Sequence, residues 1–230
     1  MLTLNDGEWA CLVLSVKVAV CASALVAAPG IACGWLLARK AFPGKGLADA
    51  LVHSPLVLPP VATGYLLLVI LGRNGPVGGW LWENLGVSLA FTWWAAVIAS
   101  AVVALPLMVR SVRLAVQLVD PKLEEAAATL GAGPLRTFAT VTLPLATPGI
   151  LAGLALAFAR SLGEFGATIT FAGNLAGQSR TLPLAVYNSM QVPGQEWQAM
   201  RLVVLSILLA FAALLASEWM NRRSARIANA

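Results

Sequence analysis

Four stretches of the chain, residues 18–38, 50–72, 84–109 and 137–159, contain no charged side chain. A helix needs about 20 predominantly apolar residues to cross the hydrocarbon core of a bilayer, so each run is long enough to span it. A fifth run, residues 202–217, is shorter, but its flanks from Met200 to Trp219 complete it, with Arg201 and Glu218 near the ends. Polar residues gather between the runs instead of repeating within them, as long membrane helices require. The pattern predicts an all-α membrane protein with about five transmembrane helices in one domain over residues 1–230. The spans are expected at about 10–38, 50–72, 86–109, 144–164 and 200–219, with a polar elbow at about 120–143.

Composition agrees. The chain is 59% hydrophobic and only 11% charged, against roughly 25% charged in ordinary soluble domains. The head, MLTLNDGEW, carries Asp6 and Glu8 and no base; a cleaved signal wants a basic start, so the first span is expected to stay. Lys17 lies inside that span, close enough to its end to snorkel to the interface.

Of the 15 Lys and Arg, ten fall on one side of the predicted topology: Arg39, Lys40, Lys45, Arg110, Arg113, Lys122, Arg136, Arg222, Arg223 and Arg226. Basic loops stay in the cytoplasm, which places the N-terminus out and the C-terminus in. The same bias accounts for most of the net charge of +5, so no nucleic-acid partner is expected from it. Cys11, Cys21 and Cys33 all sit in or beside the first span at no metal or redox spacing. No catalytic residue and no metal site are expected.

Inside the spans, Gly30 with Gly34 and Gly149 with Gly153 repeat at the small-xxx-small spacing that lets helix backbones approach, within one chain or between subunits. The second span carries Pro55, Pro59, Pro60 and Gly64 in its first half. Prolines remove backbone donors and bend the helix, which lipid tolerates only against protein or a water-filled cavity. That span is therefore expected to line something. Residues 160–198 are too long for a turn; the first part should continue or break the fourth helix, and 182–190 should form a short interfacial or re-entrant helix. No internal repeat is apparent.

The elbow carries its own boundary signals. Asp120 suits N-cap, Pro121 the first helical position, and Gly131 the left-handed position after the end. Leu123, Ala127 and Leu130 share one face, and Gly133-Pro134 opens a second short helical turn with Leu135 and Phe138 on one side. An apolar ridge with charged flanks between two spans suits a groove on a cytosolic partner.

Glu125-Ala126-Ala127, then Gly131, then Val141, Leu143 and Pro144 resemble the EAA motif of binding-protein-dependent ABC importer permeases, with Val141 where isoleucine is usual. The resemblance extends along the chain through FPGKGLAD, PLVLPPVATGYLLL and FARSLGEFGATITF, and it is nearest to the molybdate branch of that family. Sulfate permeases share the LGEFGA type of sequence and are usually longer at the N-terminus. The resemblance implies a type I ABC importer permease fold in the cell inner membrane. It also implies a homodimer, two separate ATP-binding subunits that hold ATP and Mg, and a periplasmic oxyanion-binding protein. Glu125, Ala126, Ala127, Gly131, Gly133, Leu143 and Pro144 would then couple to the ATPase. No cofactor is expected on this chain, because PGKG at 43–46 lacks the upstream glycine and the Ser/Thr of a phosphate loop.

Ionisable residues at membrane depth pair or face a cavity. Arg160 and Glu164, four residues apart, suit a mutual salt bridge or a translocation path, with Ser161 and Thr168 as neutral donors and Pro59 and Pro60 lining it. His53 is expected to be interfacial. An intramembrane enzyme would need a nucleophile–base pair or a metal cluster at depth, and a channel or ion-coupled carrier would leave the elbow unexplained.

Overall fold

The computed structural model describes the backbone of residues 5–228, and the side chains of its last helix as far as residue 213 and at Leu215. The basic tail Arg222, Arg223 and Arg226, with Glu218 and Trp219, therefore lies outside the residues whose side chains are described, as do residues 1–4 of the head. The described residues form helices and connecting turns, with no strand among them.

Helix α1 runs from Asp6 to Arg39 and starts on a reciprocal cap. Asn5 Oδ1 accepts from the Glu8 amide at 2.7 Å, and Glu8 Oε2 accepts from the Asn5 amide at 3.0 Å. The other Glu8 oxygen meets Arg201 at 2.8 Å, pinning the start of α1 to the last helix, α11 (Glu196–Ala228). Lys17 lies 3.8 Å from the centre of the Trp93 ring, a cation–π contact that shelters its charge.

The expected second span is two helices. Helix α2 (Lys45–Val57) and α3 (Pro60–Leu71) are bent by 113° at the Leu58-Pro59 break. Consecutive prolines deny Pro59 and Pro60 any amide donation, so the ladder stops there. Helix α2 buries none of its residues, and Asp49 ties it to the protein by accepting two 3.0 Å bonds from Arg113. His53 sits beside the same carboxylate at 3.2 Å.

A further helix, α4 (Pro76–Leu85), precedes the third span. The uncharged run at 84–109 and the helix do not coincide: Gly86 at φ +65° ends α4, and α5 spans Trp93–Leu118 behind a Thr92 cap. Arg110 and Arg113 fall inside α5: Arg110 is exposed and Arg113 pairs with Asp49, and a charge so placed near a helix end does not end the helix.

Helix α5 is the centre of the bundle. Val97, Ala99, Ala104, Met108, Val109 and Val112 are fully buried. Both glycine pairs pack against it: Gly30 and Gly34 of α1 on Met108 and Val112, Gly149 and Gly153 of the fourth span on Ala115, Ser111 and Met108. Ser111 Oγ also donates to the Gly149 carbonyl at 2.8 Å. The spacing that suggested close packing thus serves the chain's own fold.

The elbow helix α6 (Pro121–Thr129) starts and stops where its signals place it. Beyond it the expected short second turn does not end. Helix α7 (Pro134–Thr137), a π turn (Phe138–Thr142) and α8 (Leu143–Leu162) form one continuous helical run through Pro144 and Pro148. The π turn explains the continuity: Leu143 N bonds Phe138 O, five residues back, and the looser turn makes room for the Pro144 ring. The fourth span then breaks at Gly163–Phe165 and resumes as α9 (Gly166–Phe171); α10 (Leu182–Met190) occupies the stretch expected to be a short helix.

Helices α3 and α9 meet closely. A methyl group on Gly64 would lie 2.5 Å from the Ala167 carbonyl oxygen and 2.8 Å from Ala167 Cα. Backbone cannot yield as a side chain can, so Gly64→Ala should cost about 1–3 kcal/mol. Gly46→Ala, with nothing within 4 Å, should be neutral or slightly stabilising. Thermal unfolding of the two variants in detergent checks this; equal midpoints would refute the close approach.

Candidate functional site

Helix α6 begins as its sequence dictates: Asp120 Oδ1 accepts from the Lys122 amide at 3.0 Å and Pro121 takes the first position. It ends at Gly131, φ +83°, whose amide bonds Ala128 O while Ala132 N bonds Ala127 O. Leu123, Leu130 and Leu135 are solvent-exposed in the single chain, Leu130 at 89%. The ridge is thus bare on a helix with no buried residue, an exposure that apolar side chains seldom keep in water.

One sequence expectation needs correcting here. Leu135 and Phe138 do not present one apolar side: Leu135 is exposed, while Phe138 turns in to meet Trp35 edge-on at 5.5 Å. Glu125 is exposed and makes no side-chain hydrogen bond among the described residues. Its neighbour Glu124 ties the elbow to the rest of the chain. Glu124 Oε1 accepts from Arg39 Nε at 3.2 Å and from Thr142 Oγ1 at 2.7 Å, and the other arm of Arg39 donates to Val119 O at 2.8 Å. Sequence reading used Arg39 for topology only and passed over Glu124 and Thr142; no local pattern links residues 85 positions apart.

The remaining EAA-type positions stay together. Ala126, Ala127, Gly131 and Gly133 belong to α6 and its exit, and Leu143 and Pro144 open α8 directly above the π turn. The second group lies elsewhere. From Leu143 to Arg160 the helix rises about 25 Å, so α8 joins two sites at its opposite ends.

At that far end Glu164 is buried and committed twice. Its Oε1 accepts from the Ala167 amide at 2.9 Å, capping the first turn of α9, and its Oε2 lies 2.8 Å from Arg160. The Arg160–Glu164 pair is thus a mutual salt bridge, off the direction of a hydrogen bond. Ser161 and Thr63 bury hydroxyls with no partner, which costs free energy unless something else supplies one. Thr168 is buried on α9. Pro60 touches Gly166, so the break after Pro59 and the break at Gly163–Phe165 meet. Two interrupted helices meeting within a bundle expose backbone that only protein or water can satisfy.

Among the described residues no three His, Cys, Asp or Glu side chains are placed to hold a metal ion.

Residues 30–226 match the profile of the binding-protein-dependent transport system inner membrane component. The chain belongs to that permease family. Over 221 residues, 96% of each chain, it is 55% identical to the molybdenum transport system permease protein ModB of Escherichia coli K12. The sulfate transport system permease protein CysT of the same organism is more distant, 37% identical over 79% of this chain and 66% of its own.

Solved structures agree on the fold of this permease. The MetNI methionine ABC transporter matches with TM-score 0.69 at 19% identity, over 96% of this chain and 99% of that one. A bacterial alginate ABC transporter in complex with its pentasaccharide-bound periplasmic protein matches with TM-score 0.76 at 16% identity, over 95% and 80%. The permease is a multi-pass inner-membrane transport component and not an enzyme.

The elbow's exit gives a direct check. Gly131 holds a positive φ with nothing within 4 Å of a would-be Cβ, so Gly131→Ala meets only backbone strain of about 1–2 kcal/mol. Amide exchange over residues 121–132 should quicken roughly 5- to 30-fold. Gly133→Ala, at φ −69°, should change it little; equal protection in both variants would contradict the assigned geometry.

Proposed function

We propose that this permease is the membrane-spanning subunit of an ATP-driven importer that carries molybdate from the periplasm to the cytoplasm. The reading rests on the 55% identity to the E. coli molybdenum permease, which runs through 96% of both chains. An oxyanion permease of the sulfate type is the nearer rival, supported by a lower identity over less of its length.

In this reading the permease works as a homodimer with the pathway on the two-fold axis. A two-fold pair presents two copies of α6 to two ATPase subunits, which hold the ATP and Mg. The N-terminus faces out, the C-terminus faces in, and a periplasmic binding protein delivers the oxyanion to the outward-open dimer. Closure of the ATPases draws the α6 elbows together, with the exposed ridge of Leu123, Leu130 and Leu135 seated in a cleft of each ATPase. Glu125, exposed and with no side-chain hydrogen bond among the described residues, serves the same surface. Hydrolysis then returns the pathway to the inward-facing state.

The path passes the meeting point of the two helix breaks. Pro59 and Pro60 hold it open, Ser161 and Thr168 offer neutral donors, and Arg160 supplies positive charge that Glu164 balances between passages. Balanced charge favours transit over tight binding, so selectivity belongs largely to the binding protein.

The test is ATP hydrolysis by the reconstituted permease with its ATPase and binding protein. Molybdate-loaded binding protein should stimulate turnover, and sulfate should not. Leu130→Asp, which disturbs nothing within the chain, should weaken ATPase association about 10- to 100-fold, as loss of a buried anchor does. Stimulation by sulfate alone would replace the substrate and keep the mechanism. Passage of ions by the permease without any ATPase would overturn the transporter class.

A further inference from the structure

Helix α6 is the part of the permease that the proposed ATPase would move, yet it is poorly fastened. None of its residues is buried. Its covalent route to α8 passes through residues 130–133, which are held by backbone bonds to α6 and to Thr137, and a side chain at Gly131 or Gly133 would meet nothing within 4 Å. Lys122 and Thr129 form hydrogen bonds only within the helix and its cap. Among the described residues, Glu124 alone sends a side-chain hydrogen bond from α6 to other elements.

The elements it reaches are the ones that matter for movement. Arg39 is the last residue of α1, and its second bond, to Val119 O, holds the end of α5. Thr142 is buried at the end of the π turn, where the run into α8 begins. One carboxylate oxygen therefore gathers the inner ends of α1, α5 and α8 onto α6.

We propose that Glu124, with Arg39 and Thr142, is the joint through which displacement of the elbow enters the membrane helices. The proposal rests on the coupling reading above. Glu124 is a positioning residue: it touches neither nucleotide nor transported anion. The glycine loop, held only by short-range bonds to its sequence neighbours, would absorb a push by bending, whereas the joint passes the push to α1 and α8 together. A π turn beside it lets the base of α8 shift without breaking the helix.

The experiment compares wild type, Glu124→Gln, Thr142→Val and the double variant, with full-length permease assembled with its ATPase and binding protein. Molybdate imported per ATP hydrolysed should fall about tenfold in Glu124→Gln, the scale of one lost charge-assisted hydrogen bond. The double variant should fall no further, because both changes open one joint. An unchanged ratio in Glu124→Gln, or losses that multiply in the double variant, would overturn the proposal. Should Glu124→Gln fail to assemble, Thr142→Val decides by the same ratio.

A second readout needs neither substrate nor ATPase. Spin labels at Ala41 and Leu130, both exposed, with the native cysteines replaced by serine, report the separation of α1 from α6 in nanodiscs. The distance distribution should be narrow in the wild-type background and broad with Glu124→Gln. Identical distributions would refute the joint even where the transport reading holds. A broadened distribution in a permease that imports no oxyanion would support the joint and discard the transport reading.

Discussion

The fold depends on how closely α1 and α8 approach α5. In lipid no hydrophobic effect drives helices together, so association relies on van der Waals contact and a few hydrogen bonds. Gly30 and Gly34 let α1 lie against Met108 and Val112, and Gly149 and Gly153 do the same for α8 on the other side of Met108. The three helices then behave as one block. The peripheral pieces are held more lightly: α2 by its Asp49–Arg113 pair, and α11 by its Glu8–Arg201 pair with a small apolar cluster of Leu202, Cys11, Leu182 and Ala185. This division into a packed block and tethered edges suits a protein that must change shape without unfolding.

What the sequence made legible follows from the range of each interaction. Helix α6 could be bounded because Asp120, Pro121 and Gly131 act within one turn, and α10 because its neighbours are a glycine-rich loop and a second polar turn. The glycine pairs were visible as a spacing, though only the structure assigns them to α5. The size of the bend at Leu58-Pro59 was not legible, since prolines state that a ladder stops and not where the chain goes next. The uncharged run that includes residues 86–92 misled for a related reason: hydropathy counts side chains, while Gly86 and Thr92 decide where backbone leaves and enters the helix.

At the candidate sites the same distinction holds. The motif drew attention to Glu125, which the fold leaves free, and away from Glu124, which it uses. Nothing local separates two adjacent glutamates. What separates them is the arrival of Arg39 and Thr142 from distant parts of the chain. Arg160 and Glu164, by contrast, lie one turn apart, and their pairing could be anticipated from spacing alone; the capping of Ala167 by the second Glu164 oxygen could not.

Helix α8 then links the two ends of the molecule with little freedom between them. Its first end begins at a π turn braced by Glu124, and its far end stops at the break that Glu164 caps. A helix of this length transmits a tilt at one end as displacement at the other, provided that its middle is gripped; Gly149 and Gly153 supply that grip against α5. The Arg160–Glu164 pair sits beyond the pivot, beside the break where Pro60 meets Gly166. If the elbow moves as proposed, a small rotation there acts on the least regular backbone in the bundle, where two helix ends meet and rearrangement costs fewest helical hydrogen bonds. The placement of charge, breaks and glycines along one helix is what joint movement of its two ends would require.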